Sequence, residues 1–427
     1  MSSRWRWLPG SVHKALATFS RGPRELGPGG NAVLRVVVDL TPLLPGGENG
    51  GAKPMTLELI RRMASSSPKT KFILLTLKRT FDELAAFKQP NMEVVLVEEL
   101  PTKTVESKPR RAIPSRGSLV RRLGGNVLFC PFTAPFFARA GIPTVSVIYD
   151  LQYADYPQYF EGRERSQRHQ NFTEACRRAD RLICISDFVR RRVLEESGLP
   201  QERVTTVHIQ LAHRLPPLAP EVSTSVLARL QLTPGRYFLY PANFWKHKNH
   251  EMLFVAMGLF TTRFRHSDLK LVCTGAPGER RDFLRSAAER MGLRERVVLP
   301  GYLSESDFSA LMQSCLALIF PSLYEGFGMP VIEAQAIGKP VLCGNLASLP
   351  EVAGEAALVF DPRLPESIVT AMQRIESDLT VRRDLIRNGF ENVKRFADAD
   401  AMASQYLTTL AEVIQGASSP HRELRHG

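Results

Sequence analysis

Short apolar runs alternate with segments of helical spacing from Val33 onward. In the first half the runs fall at 33–40, 71–76, 92–97, 126–130, 144–148, 181–185 and 204–207, with helical segments between most of them. This alternation predicts a parallel, doubly wound sheet. The stretch 208–234 holds Pro216, Pro217, Pro220 and Pro234 with little periodicity, and reads as an interdomain linker. The alternation then restarts, with runs at 237–241, 269–274, 297–299, 317–320, 340–343 and 357–360 and helices near 249–260, 279–291, 305–314 and 330–338. After Pro365 the pattern is helical to about residue 414.

The expected organisation is α/β: a basic arm over 1–32, a Rossmann-like domain over 33–207, a linker over 208–234, a second Rossmann-like domain over 235–395, a final helix over 396–415 and a tail over 416–427. A length of 427 residues suits two cores of roughly 200 residues each. No window reaches the ~18 apolar residues of a membrane span. The arm carries Trp5, Trp7 and several arginines but no continuous apolar segment and no small-residue cleavage site, so a cytoplasmic protein is expected.

Charge adds an asymmetry. The net charge is +13, and residues 1–218 hold 33 Lys+Arg against 20 Asp+Glu, whereas residues 219–427 hold 23 of each. One cluster comprises Lys103, Lys108, Arg110, Arg111, Arg116, Arg121 and Arg122; another comprises Arg177, Arg178, Arg181, Arg190, Arg191 and Arg192. Basic patches confined to one domain suggest an anionic partner there, such as a membrane surface or lipid pyrophosphate; the alternative is a solvated basic face. Nucleic acid is not the expected partner. The six cysteines fall singly and the nine histidines are scattered, so no metal site is predicted.

In such a sheet ligands bind beyond the carboxyl ends of strands. The richest post-strand loop runs from Phe320 to Ala334. Gly326 and Gly328 bracket a turn, Pro330 suits a first helical position, and the helix N-terminus suits a diphosphate. Glu325 and Glu333 flank that turn. A second segment, 241–250, carries Asn243, Lys246, His247 and Lys248 between a strand and a helix. Gly275 and Gly301–Tyr302 follow two further strands. In the first half, Gly47, Gly50 and Gly51 follow the first strand in a loop that lacks the lysine of a phosphate-binding NTPase loop, Ala52 standing in its place. Tyr149 and Asp150 follow the strand at 144–148. Asp398 and Asp400 have a metal-binding spacing but follow no buried strand, so they are read as a decoy.

Glu325 and Glu333, in a Glu-Gly-Phe-Gly-Met-Pro context, resemble the Glu-x7-Glu motif of glycosyltransferase family 4 (group 1), most strongly over 236–362 and more loosely over 33–412. That resemblance implies the GT-B fold of two Rossmann-like domains facing a cleft, and a retaining, metal-independent transfer from a nucleotide sugar. It implies that Glu333 accepts the ribose hydroxyls, and that Glu325 with the N–H groups of Phe327, Gly328 and Met329 addresses the donor sugar. Lys248 would meet the diphosphate, and Gly301 and Tyr302 the base. Family members commonly carry an arginine where Ala242 stands, for which Lys246 or His247 would substitute, and a histidine where Tyr149 stands. The catalytic candidates are therefore Asp150, Tyr149, Lys248 and Glu325.

No cofactor is implied, the nucleotide sugar being a co-substrate. Likeness to bacterial mannosyltransferases of polysaccharide assembly favours GDP-mannose, then a UDP-sugar, as donor. The acceptor would be a glycan or lipid-linked saccharide, with the protein peripheral on the inner membrane face. The alternatives are a nucleotide-sugar epimerase, a phosphorylase, or a non-catalytic binding protein of the same fold.

Overall fold

The computed structural model describes residues 33–46, 49–97, 116–215, 218, 220–301 and 303–417. The basic arm, Gly47, Tyr302, the cluster members from Lys103 to Arg111 and the end of the tail lie outside these residues.

Seven parallel strands form the first sheet: β1 (Arg35–Asp39), β2 (Lys71–Thr76), β3 (Met92–Leu96), β4 (Val127–Cys130), β5 (Thr144–Ile148), β6 (Arg181–Cys184) and β7 (Val204–Thr206), in the order β3-β2-β1-β4-β5-β6-β7. The second sheet has six: β8 (Tyr237–Pro241), β9 (Lys270–Thr274), β10 (Val297–Gly301), β11 (Ala317–Phe320), β12 (Val341–Gly344) and β13 (Leu358–Phe360), in the order β10-β9-β8-β11-β12-β13. Every apolar run of the sequence became a strand. Each order reverses direction once, between β1 and β4 and between β8 and β11. These are the switch points where a doubly wound sheet leaves a crevice for a ligand.

Both faces of the sheets are covered, which explains the unbroken apolar runs. Val36 and Val38 point into one buried cluster and Val37 into the other, with Ile73, Leu75 and Leu128. The twofold period of a strand thus feeds two cores, and no polar position is needed.

The structure adds detail in two places. The stretch 208–234 contains a helix, Pro220–Arg229, which packs on the helix Glu305–Ser314 and carries the ion pair Arg229–Asp307 (2.6 Å). Pro220 stands at the helix start, where its missing N–H costs nothing. The helical region after Pro365 is three helices, Pro365–Ser377, Leu379–Val393 and Ala399–Ala417. Asp378 interrupts it by taking an extended conformation and accepting hydrogen bonds from the Thr380 and Val381 N–H groups.

The last helix packs against Ala52–Ser66 of the first domain, with Tyr406 edge-on to Phe129 at 5.8 Å. The chain therefore crosses between domains twice, and Ala212 N–H donates to the Phe396 carbonyl (3.2 Å) where the crossings meet. A second tie is Glu351, whose Oε1 and Oε2 accept the Asp187 and Phe188 N–H groups at 2.7 and 2.8 Å. These belong to the first turn of the helix Asp187–Ser197, so a carboxylate of one domain caps a helix of the other. His208 Nε2 lies 2.7 Å from the same Oε1. Burial alone would raise the Glu351 pKa, but His208 and the two N–H groups hold it below the usual range.

Candidate active site

The two sheets face each other across a cleft of about 1510 Å³. Glu325, Gly326, Phe327, Gly328, Met329 and Glu333 all line it. β11 is fully buried and ends at Phe320; the helix Met329–Ala336 begins nine residues later, with Gly328 at its N-cap in the left-handed region (φ 100°). Gly326 is required for another reason. A Cβ there would sit 1.9 Å from the Tyr149 carbonyl oxygen, so the loop touches the backbone of the opposite domain.

Three successive carbonyls of this loop are tethered. Ser348 Oγ donates to the Glu325 and Phe327 carbonyls (2.9 and 3.0 Å), and Ser186 Oγ donates to that of Gly326 (2.7 Å). In a trans peptide the N–H is opposed to the C=O. The tethers thus aim the N–H groups of Gly326, Phe327 and Gly328 away from the serines. Ser186 also caps its own helix by accepting from Val189 N–H.

The loop after β8 is stitched to this one. The Leu323 N–H donates to the His247 carbonyl (2.8 Å), Tyr240 donates to that of Lys248 (2.6 Å), and Asn249 Nδ2 donates to the Pro321 carbonyl (3.2 Å). The outcome is Lys248 Nζ against Glu325 Oε1 at 2.6 Å, between the Phe320 and Trp245 rings. Lys246 is exposed in the cleft, while His247 is buried and its pKa is pushed down to about 2 by burial, Lys248 and Arg168. His247 is therefore neutral and supplies no charge in place of the arginine absent at Ala242. Arg168 and Arg280 also line the cleft, and nothing in the motif spacing pointed to them.

Glu333 is 2 % exposed. Burial raises its pKa and Arg214 opposes the rise. Arg214 donates from Nε and Nη2 to Glu333 Oε1, both at 2.9 Å, and from Nη1 to Glu305 Oε1 at 2.8 Å. It comes from the stretch read as a linker and was not foreseen.

In the first domain the Tyr149 hydroxyl is hydrogen-bonded to Thr56 Oγ1 (2.8 Å), and its ring stacks on Phe132. Burial pushes its pKa well up. Asp150 faces the cleft, where it is close enough to Arg168, Glu325 and Lys248 to feel their charges; burial raises its pKa and Arg168 opposes this. Its Oδ1 also accepts the Gln152 N–H (3.1 Å), so it caps the following turn as well. Gly50 and Gly51 lie against Trp245 and Met329, where a Cβ would meet those side chains at 3.4 and 3.5 Å. The loop is shaped by buried Lys53, whose Nζ donates to the Leu44 and Gly46 carbonyls and to Glu83.

Asn243 and Gly275 line the cleft together. A Cβ on Gly275 would approach the Ala242 carbonyl oxygen to 2.6 Å, and Asn243 Oδ1 accepts the Ala276 N–H. Gly301 ends β10, where its carbonyl accepts from Gly275 N–H (3.2 Å), and is not part of the lining. Leu303, Glu305 and Phe308 occupy that wall instead. Asp398 caps the last helix through Ala401 N–H, and Asp400 pairs with Arg62 (3.0 Å). Asp187, His208 and Glu351 bring ligand atoms within 4.8 Å of one another, outside the cleft, but both Glu351 oxygens already accept backbone N–H groups. Most of the second basic cluster is also engaged: Arg177 and Arg178 with Glu174, Arg181 with the Glu202 carbonyl, Arg190 with the Val204 carbonyl, and Arg192 with Asp155. Among the described residues no helix is long and apolar enough to cross a membrane.

Comparison with known proteins gives the same outline. The family model for glycosyl transferases group 1 matches residues 229–392, and that for glycosyltransferase family 4 matches residues 49–209. The chain is similar to O-antigen chain mannosyltransferase B of Escherichia coli, 30 % identical over 256 residues that cover 59 % of this chain and 66 % of that protein. It is also similar to serotype-specific mannosyltransferase WbdA of Escherichia coli, 26 % identical over 278 residues, 64 % of this chain and 34 % of that protein. The match thus spans from a third to just under two thirds of these relatives. Among solved structures, Anabaena HepE in complex with UDP-glucose aligns with a TM-score of 0.69 at 16 % identity, over 89 % of this chain and all of that one, a likeness of fold.

Proposed function

Because the chain belongs to the group 1 glycosyltransferases, we propose that it is a retaining, metal-independent hexosyltransferase that moves a sugar from a nucleotide-sugar donor to a glycan or lipid-linked saccharide. The observation that carries this is the placement of Glu325 and Glu333 on one cleft, on either side of the loop whose carbonyls are tied back by Ser186 and Ser348. GDP-mannose is the favoured donor, supported by likeness to an O-antigen chain mannosyltransferase and a serotype-specific mannosyltransferase, and a UDP-sugar is next. The assembly of a cell-surface polysaccharide is the corresponding setting.

In this mechanism the bond between the anomeric carbon and the diphosphate oxygen breaks first, and negative charge grows on the leaving phosphate. Lys248 and the N–H groups of the helix N-terminus offset that charge, an effect worth several kcal/mol in a water-poor site. The acceptor hydroxyl attacks the face the diphosphate leaves, and its proton passes to the departing phosphate oxygen. No protein nucleophile is needed. The Tyr149 hydroxyl is engaged by Thr56, so Asp150 and Glu325 are the groups that orient the sugar. Glu333 receives the ribose hydroxyls.

Incubation with labelled GDP-mannose and UDP-sugars plus lipid-linked saccharides, with the product anomer read by NMR, tests this. Transfer that persists in EDTA with retained configuration is expected. Inversion or an absolute need for Mg2+ would overturn the mechanism. Binding without turnover would favour a non-catalytic protein of the same fold.

A further inference from the structure

Arg214 stands outside every motif of the sequence, yet it is the cation that meets the buried carboxylate of Glu333. A carboxylate that is 2 % exposed has lost almost all its water, and such a group needs a partner or takes up a proton. Both Nε and Nη2 of Arg214 reach the same oxygen, Oε1, at 2.9 Å. Oε2 has no partner among the described residues. The outer end of the guanidinium is held by Glu305, itself 59 % exposed and part of the cleft wall. The backbone is fixed as well. Leu211, Ala212 and Leu215 are buried, and Ala212 N–H is bonded to the Phe396 carbonyl at the second crossing.

Resting on the ribose role proposed for Glu333, we infer that Arg214 is a positioning residue for donor recognition: it grips Glu333 by one oxygen and leaves the other presented to the ribose hydroxyls. A neutral, protonated Glu333 would still accept a hydrogen bond, but a weaker one than the ion. Removing Arg214 takes away the opposing charge and lets burial raise the Glu333 pKa further. Ribose recognition then weakens as pH falls. Glu305 holds the outer end of the guanidinium, and its charge adds to the rise of the Glu333 pKa.

The probes are GDP and UDP, each with its 2′,3′-dideoxy analogue, titrated calorimetrically into the full-length protein. The parent should prefer the ribose form of the nucleotide it binds by about tenfold or more, as charge-assisted hydrogen bonds imply. In Arg214→Met that preference should collapse toward one, the dideoxy affinity should stay within about twofold, and any remaining preference should shrink as pH falls. Arg214→Lys keeps the charge without the fork and should restore part of the preference and flatten its pH dependence. It is also the variant to use if the Met form does not fold. Equal weakening of ribose and dideoxy forms, or an unchanged preference in a variant with the parent's melting temperature, would overturn the role of Arg214 while leaving the donor reading intact. A parent that binds neither GDP nor UDP would overturn the donor reading itself, and this inference with it.

Discussion

The Lys248 ammonium lies 2.6 Å from Glu325 Oε1, and both side chains are 12 % exposed. A diphosphate entering the cleft has to draw that cation away from a carboxylate, which also repels the phosphates. Glu325→Gln should therefore bind GDP or UDP at least as tightly as the parent, while turnover falls on the order of a hundredfold, the usual scale for losing one group that acts on the reacting sugar. Lys248→Ala should lose both binding and turnover. Comparing Kd with kcat for the two variants checks this, and equal losses of affinity would contradict it.

His250 gives a pH prediction. It is 1 % exposed, neither ring nitrogen has a hydrogen-bond partner among the described residues, and it packs on Tyr240 and Phe244 at 4.7 and 5.1 Å. Burial first, then Lys248 and Arg280, pushes its pKa down to about 3. The unfolded chain binds its proton near pH 6.5 and the folded one does not, so stability is complete above that value and is lost as pH falls toward 3. One unit below, at about pH 5.5, the loss is about 1.4 kcal/mol. His250→Phe should flatten the acid limb of a pH–melting curve. A limb as steep as the parent's would show that other groups set it.

Gly326→Ala should separate fold from contact. The added methyl meets the Tyr149 carbonyl oxygen, which is backbone and cannot rotate away. The loop or the domain pairing has to shift, at about 1–3 kcal/mol, with turnover falling alongside. Urea melting and activity measured together check it; a variant like the parent in both would mean that the two domains do not need this approach.

The charge asymmetry yields a binding prediction. All thirteen excess positive charges precede residue 219. With the second basic cluster largely paired, the first cluster and the arm are the candidates to meet an anionic bilayer, at ~1 kcal/mol per cation near the surface. Flotation with anionic liposomes should exceed that with neutral ones, weaken with salt, and drop when Arg110, Arg111, Arg121 and Arg122 become Ser. Equal recruitment by both lipids would leave the basic face merely solvated.

The strands were legible because a strand buried on two faces, as Val36–Val38 is, has no other way to be written than as an unbroken apolar run. The loop around Glu325 was legible because its glycines answer to backbone constraints that only glycine meets. Arg214 was not, since its partners Glu305 and Glu333 lie 91 and 119 positions away and its own stretch has no periodicity. The direction of the Tyr149 hydroxyl was equally hidden, being fixed by Thr56 on a helix 93 positions earlier. Arginine counts also misled: a run such as Arg190–Arg192 looks like a free basic face until Asp155 and the Val204 carbonyl are found beside it.

Glu351 has a consequence for how fast the cleft can exchange its contents. It joins the domains by accepting Asp187 and Phe188 N–H groups at the start of a helix, at the surface end of the interface. If the domains part, water can take over each of those hydrogen bonds, so the net cost is limited to about 1.5–3 kcal/mol for each bond to the carboxylate. An apolar seam of the same extent would expose surface that water cannot satisfy. Closure held in this way is reversible, which suits the proposed transfer, in which a spent nucleotide would leave after every turnover.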